Sequence, residues 1–271
     1  MNVDLCIWTK NGAETLAPVL RRVEEVIPHE EIRKKIAVDD SSTDSSVELL
    51  KKFNWEVYPN REGFINSGTK EALKHVETEF FVSIEQDVLL SRKWWGAIPH
   101  YMNDERVAVA QGIRLSTNET ERAVETLKIR KLKRLSLEEK SKMYFSIDNN
   151  IYRTVVIKNL GFVDDPVAMA PFYVKVISNG FRWITDISVV STHLRGNLFD
   201  VISHTTRFYS LTEQHTDLDD MSILRFLGGI VASPLKGFKM SIETKEPKVQ
   251  IFYPLKRLLL TRVYHRNKRT S

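Results

Sequence analysis

Short apolar runs recur along the first 115 residues, each closing on polar or acidic residues and each followed by a helical pattern. VDLCIW (3–8) reads as a buried strand. Over 12–27 the apolar residues Leu16, Leu20, Val23 and Ile27 fall on one helical face. KKIAVDD (34–40) is a second strand, followed by Ser-Ser-Thr-Asp, a helix N-cap cluster, and by Val47, Leu50 and Phe53 on the helix it starts. WEVYP (55–59) is a third strand, and 63–76 a loop and helix. EFFVSIEQD (79–87) is a fourth, followed by a helix bearing Trp94, Trp95 and Ile98, and VAVAQGIRL (107–115) is a fifth. Strand–helix units repeated at this length predict an α/β domain, a mostly parallel sheet with helices on both faces.

The second half is less regular. The stretch 117–142 is rich in Lys, Arg and Glu, with apolar residues at Val124, Leu127, Leu132 and Leu135, and reads as an exposed amphipathic helix or a loop. NNIYRT (149–154) and FRWITDISVV (181–190) are strand-like, with a short helix and a longer one between them. From Asn197 the pattern is helical, interrupted by Pro234, Pro247 and Pro254. The hydrophobic share of 42% supports a sizeable core. The longest mostly apolar stretch, FLGGIVASPL (226–235), is half the length of a bilayer span and contains a proline, so no membrane crossing and no leader peptide is expected. The single cysteine, Cys6, excludes an internal disulfide and is expected in the core.

Charge divides the chain. Residues 236–271 hold ten Lys/Arg against two acids, a net +8, which leaves −3 for the rest of a chain whose total is +5. A basic tail on a neutral-to-acidic body points to an anionic surface as partner. No helix-turn-helix, zinc or aromatic single-strand pattern accompanies it, which argues against nucleic acid.

In parallel α/β sheets ligands bind beyond the carboxyl ends of the strands. That rule gathers Thr9–Asn11, Asp39–Asp44 and Glu85–Asp87 along one edge. In V-D-D-S-S-T-D (38–44), two carboxylates at a strand end can accept from the N–H groups of a base and from ribose hydroxyls; equally, the segment can simply cap a helix. In E-Q-D (85–87) two acids one residue apart can face a divalent cation that bridges diphosphate oxygens.

Taken in order, these motifs resemble the family 2 glycosyltransferases of GT-A fold. The chain has Trp8-Thr9-Lys10-Asn11 where the family has a Pro-Thr-Tyr-Asn-like turn, and VDDSSTD with Ser41 in place of a glycine. R-E-G-F-I-N-S-G (61–68) follows as a glycine-rich lead into a helix, and Glu85-Gln86-Asp87 as the acidic metal motif. The likeness runs on through NNIYRTVVIKNLGFVDD (149–165), G-F-R-W (180–183) and H-L-R-G (193–196). It implies a metal-dependent, inverting transfer of a sugar from a GDP- or UDP-sugar donor to an acceptor hydroxyl, with Mn²⁺ or Mg²⁺. Residues 1–197 would form the catalytic domain, 1–115 its nucleotide half and 116–197 its acceptor half, with 198–271 a helical, basic region. Carried over by residue, Asp40 binds the base with Asp39 assisting, and Thr9, Asn11 and Gln86 line the nucleotide pocket. Asp87 ligates the metal, Glu85 contacts ribose or a metal-bound water, His193 approaches the metal and Arg195 the phosphates.

One departure concerns the general base. The family places a Glu-Asp pair where this chain has Val167-Ala168-Met169-Ala170-Pro171, so the catalytic carboxylate falls to Asp164 or Asp165, with Asp148 a third choice. That gap leaves a catalytically inactive sugar-nucleotide-binding scaffold as the rival reading, and a nucleotidyltransferase as a weaker one, since KNGAET (10–15) lacks a triphosphate loop. The apolar, cation-flanked segments 222–240 and 251–263 suit helices lying on a membrane. They predict a cytoplasmic protein peripherally attached to the membrane, acting on a polyprenyl- or dolichyl-phosphate-linked glycan.

Overall fold

In a computed structural model of the 271-residue chain, residues 1–63, 65–162, 169–202, 223–256 and 258 are described. They group into two compact units. The first joins Met1–Leu115 to Leu132–Leu194, and the second joins Ser116–Lys131 to the residues from Arg195 onward.

The first unit alternates as the sequence pattern predicts: β1 (Val3–Thr9), α1 (Ala13–Val26), β2 (Ile32–Asp39), α2 (Ser46–Lys52), β3 (Glu56–Pro59), α3 (Ile65–Lys74) and β4 (Phe80–Glu85). A two-residue strand β5 (Val88–Leu89), α4 (Trp94–Ala97) and the long β6 (Val107–Ser116) follow. After α5 (Glu119–Leu132) come α6 (Leu137–Met143), β7 (Asn150–Arg153), α7 (Thr154–Leu160), α8 (Met169–Ser178) and β8 (Arg182–His193). Among the described residues the strands form one sheet in the order β3-β2-β1-β4-β7-β6-β8-β5. β1 to β4 run parallel, whereas β7 pairs antiparallel with both β4 and β6, and β5 antiparallel with β8.

Both faces of β1, β4 and the second half of β2 are buried, which is why these strands read as continuous apolar runs, whereas the edge strand β3 is exposed at both ends. Val3, Leu5 and Ile7 of β1 point to one face, packing with Leu16, Val19, Leu20 and Val23 of α1. Cys6 points to the other, with Ala72 of α3 and Val156 and Ile157 of α7. Cys6 is a core residue, its thiol pKa pushed up by burial. On that second face Trp183 of β8 meets the rings of Phe172 and Tyr173 of α8 and of Tyr152 of β7 at centroid distances of 5.9, 5.5 and 6.5 Å. Arg153, at the end of the Asn-rich strand, is a clamp: its guanidinium donates to the carbonyls of Met102, Asp104 and Val107. The 3.6-residue pattern over 117–142 resolves into α5 and α6, and Ser136 caps α6 with a capping box closed by Glu139.

In the second unit, Ala123 and Val124 of α5 pack with Val201, Ile202, Val249 and Phe252 in a small separate core. Ile223–Thr244 is one helix with Pro234 inside it, and a further helix runs over 249–256. No described helix is long and apolar enough to cross a membrane.

Candidate active site

Parallel pairing sets the carboxyl ends of β2, β1 and β4 side by side. Thr9 is level with Asp39 across β1–β2, and Trp8 is level with Glu85 across β1–β4. Neighbouring strands lie about 4.8 Å apart, so Asp39 and Glu85, two strands removed, are separated by about 10 Å at the backbone. The two acidic motifs therefore share one edge, within reach of a single extended nucleotide.

At the β2 end, Asp39 is buried and Asp40 half-buried. One oxygen of Asp39 accepts the Ser42 N–H at 3.0 Å, while the other, Oδ1, is buried without a hydrogen-bond partner. An orphaned buried carboxylate oxygen is costly unless something donates to it, and here it marks an acceptor position open to a ligand. Asp40 is paired with Lys10 Nζ at 2.8 Å. The lysine side chain is 50% exposed, so the pair contributes at most about 1 kcal/mol and is readily exchanged. Ser41 adopts φ +55°, the left-handed region that a glycine would occupy without strain.

The rest of the VDDSSTD segment is occupied with its own architecture. Asn11, itself at φ +47°, accepts the Thr43 N–H at 2.8 Å and donates its own N–H to Ser42 Oγ. Asp44 accepts from the Ser46 N–H and from the Ala13 N–H, each at 3.0 Å. The hydrogen bond from the Ser46 hydroxyl, then that from Ala13, holds the Asp44 carboxyl below its usual pKa. The helix start is thus served by Asp44, beside an N-cap Ser45 that makes no side-chain cap bond, and not by Ser41 or Ser42. A carboxylate two residues before the first turn outcompetes the hydroxyls because the α2 dipole favours its charge.

The β4 end is built by a pairing that no local pattern announces. β5 lies antiparallel to the end of β8, with Val88 level with His193, and the Leu194 N–H donates to the Asp87 carbonyl at 2.8 Å. Asp87 Oδ2 and His193 Nε2 come to 3.3 Å. With Glu85 they offer three ligand atoms within 4.8 Å of one another. Two carboxylate oxygens and one imidazole nitrogen form a donor set that fits Mn²⁺ and admits Mg²⁺.

Glu85 is held from two further sides. Arg114 of β6 pairs with its carboxylate, and Asn149, at φ +60°, accepts the Glu85 N–H at 3.3 Å and donates to its Oε2 at 3.4 Å. Burial alone would lower the Arg114 pKa, but Glu85, Tyr144, Asp148 and Asp87 around it raise it overall. Beside it lies Asp148, 8% exposed, with Oδ1 unpartnered. Burial, reinforced by the Glu85 and Asp87 charges, lifts the Asp148 carboxyl well above the usual range, against the pull of Arg114 and the Trp8 side-chain hydrogen bond. Arg114, Tyr144, Asp148, Asn149 and Ser191 line a small hollow beside the cluster.

The structure therefore brings Thr9, Asp39, Asp40, Glu85, Asp87 and His193 to one edge. Gln86 is engaged there too, accepting from the Thr9 hydroxyl and from the Lys10 N–H at 3.0 Å, which staples the β1 turn to β4. Arg195 belongs to the second unit, where its N–H donates to Thr117 Oγ1 at 2.8 Å. Asp164 and Asp165 lie outside the described residues. Arg114, Tyr144 and Asn149 are the site residues that sequence reasoning missed. The available signals were a lone arginine near the end of the apolar run VAVAQGIRL and the Asn149–Asn150 pair that opens NNIYRT.

An α/β sheet with two acidic strand ends on one edge and a carboxylate–imidazole cluster beside them defines a transferase of the GT-A type. A sequence model of glycosyl transferase family 2 matches residues 4–161. The chain belongs to that family and is a glycosyltransferase. No curated protein sequence matches it. Among solved structures it is similar to a mannosyltransferase, PcManGT from Pyrobaculum calidifontis in complex with GDP-Man and Mn²⁺, at 14% identity and TM-score 0.61, over 96% of this chain and 87% of that one. Staphylococcus aureus TarS 1–349 is similar at 14% identity and TM-score 0.57, over 100% and 92%. Glucosyl-3-phosphoglycerate synthase from Mycobacterium tuberculosis, in complex with Mn²⁺, UDP and glucosyl-3-phosphoglycerate, is similar at 11% identity and TM-score 0.55, over 79% of each chain. At these identities the likeness concerns the fold.

Proposed function

We propose that this glycosyltransferase moves a sugar from a GDP- or UDP-sugar to an acceptor hydroxyl with inversion, using Mn²⁺ or Mg²⁺. The observation that carries the reading is the shared edge: the orphaned Asp39 oxygen and the Asp40 carboxylate stand two strands from the Glu85–Asp87–His193 cluster. Asp40 and Asp39 accept from the base and ribose, with Lys10 giving up Asp40 as the nucleotide enters. Thr9, Asn11 and Gln86 shape the wall of that pocket. Asp87 and His193 would hold the cation, and Glu85, already shared with Arg114, would face ribose or a water on it. A cation so held would offset the negative charge that develops on the leaving diphosphate. Asp164 or Asp165 takes the proton of the attacking hydroxyl. The nucleotide ligands and the metal named with the similar structures, GDP-Man, UDP and Mn²⁺, support the donor class.

The acceptor is proposed to be a lipid-linked glycan, with the chain at the cytoplasmic face of the membrane in glycan biosynthesis; the basic, apolar C-terminal segments support this. A thermal-shift panel of nucleotide diphosphates and sugar nucleotides, with and without Mn²⁺, tests the donor reading. One base should raise Tm more than the others and only in the presence of metal. Asp87→Ala should lose the Mn²⁺ dependence and donor turnover together, and retention of both would remove Asp87 from the site.

A further inference from the structure

Over Val231–Thr244 the helix Ile223–Thr244 presents a packed side and an opposite, exposed side. One face packs within its unit: Gly237 lies so close to the next helix that a Cβ there would sit 2.6 Å from the Gln250 carbonyl oxygen, Ser233 is buried, and Met240 joins the core of Val249 and Phe252. On the opposite side Val231, Leu235, Phe238 and Ile242 are 75, 74, 53 and 63% exposed. Their spacing of four, three and four residues confines them to a stripe about 60° wide and about 16 Å long. The solvent face of a helix is ordinarily polar, and a continuous apolar ridge there marks a contact surface. On the following helix Ile251 and Leu258 are exposed as well.

The charge beside this ridge selects the occupant. Lys239 borders it on one side, its side chain 78% exposed and its ammonium 4.0 Å from the Glu243 carboxylate, whereas Lys236 lies further round the helix, its ammonium 5.1 Å from the centre of the Tyr253 ring. Lys245 follows at the helix end, and Lys128 and Lys256 extend the cationic surroundings of Lys236. Two copies meeting ridge to ridge would bring together two helices of net positive charge, each with Arg225, Lys236 and Lys239 against Glu243, which like-charge repulsion opposes. An anionic bilayer complements both features at once, taking apolar side chains below its phosphates and lysines among them.

We propose that the Val231–Leu235–Phe238–Ile242 ridge inserts into the interfacial layer of an anionic membrane, with the helix lying in the membrane plane and Lys239 and Lys245 on lipid phosphates. This sharpens the membrane reading given above and rests on it. Flotation with phosphatidylcholine vesicles, with and without phosphatidylglycerol, is the first test, and the wild-type chain should float only with the anionic mixture. The double variant Leu235→Ser/Phe238→Ser replaces exposed side chains, so its Tm should match wild type while vesicle partitioning falls about tenfold or more. Lys239→Glu/Lys245→Glu should weaken partitioning and flatten its salt dependence. Because Cys6 is buried, an environment-sensitive dye on Phe238→Cys reports on the ridge alone; its emission should shift to the blue on anionic vesicles, and a dye on Lys51→Cys should not respond.

The failures are distinct. A wild-type chain that never floats removes the membrane reading and this proposal with it. Equal flotation by the double serine variant overturns the ridge while leaving the membrane reading in place. A dimer that the same variant dissolves, without vesicle binding, assigns the ridge to a second copy and overturns the proposal.

Discussion

Arg114→Met keeps most of the arginine's apolar stem and removes the guanidinium from Glu85. The two side chains are 26 and 18% exposed, so the pair sits between two regimes. A surface pair contributes about 0–1 kcal/mol, whereas removing one partner of a buried pair costs about 3–5 kcal/mol. Asp148 and Asp87 also lean on the same cation, so the expected loss is about 2–3 kcal/mol. Glu85→Gln leaves an amide oxygen that still accepts from Arg114, and should cost about 1 kcal/mol. In the double variant no carboxylate is stranded at position 85. Its destabilisation should therefore fall short of the sum of the singles by about 1–2 kcal/mol. Urea unfolding measures this, provided the slope with denaturant is unchanged across the four proteins. Calorimetric Mn²⁺ titration gives an independent readout: losing the Arg114 charge should tighten cation binding. Additive single effects, or weaker Mn²⁺ binding by Arg114→Met, would refute the account of Arg114 as the counterion of this cluster.

Ser41 holds φ +55°, a conformation costing an ordinary residue about 1–2 kcal/mol, against which a glycine loses about 0.5–1 kcal/mol of unfolded-state entropy. Ser41→Gly should thus stabilise the chain by up to about 1 kcal/mol in thermal unfolding, and a lowered Tm would contradict the strain. A Cβ at Gly112 would lie 2.5 Å from the Val189 carbonyl oxygen, a backbone atom that cannot swing aside. Gly112→Ala should therefore cost about 1–3 kcal/mol and disturb β6 against β8, visible as lost hydrogen-exchange protection in both strands. Lys256 titrates at about 8, below the usual 10.5, first because of burial and then because of Lys128 and Lys236. Between those two pH values the unfolded chain keeps a proton that the folded chain has released, so stability climbs as pH rises through the window. Below it the burden of the charged amine is fully present. Lys256→Met should accordingly gain about 1–2 kcal/mol at pH 7 and nothing near pH 10.5, and a difference constant with pH would count against it.

Much of the nucleotide half was legible because its signals are local. A strand buried on both faces must be apolar along its whole length, and the acid that ends the run marks where the chain leaves the core. β1 to β4 and the helices between them follow from that contrast, and right-handed parallel crossovers then deliver Asp39, Asp40, Glu85 and Asp87 to one edge. The Gly-to-Ser departure at position 41 was visible too, though its left-handed backbone was not.

The antiparallel half shows the limit. The apolar run of β6 announced a strand, but nothing in it told that β7, arriving some forty residues later, would slip between β4 and β6. That insertion is what sets Asn149 against the Glu85 backbone and seats Asp148 beside Arg114. β5 has two residues, too few for any periodicity, yet its pairing with β8 is what brings His193 to Asp87.

By itself the sequence determined the α/β class, the parallel strands and their acidic ends, since each depends on a residue's own hydrophobicity and on a chirality rule common to all such chains. Only the tertiary structure decided which cation neutralises Glu85, how His193 is set against Asp87, and that Val231, Leu235, Phe238 and Ile242 are left uncovered. Those outcomes depend on strand register and helix packing between segments far apart in the chain, and register follows from the fit of a whole sheet rather than from any short stretch of residues.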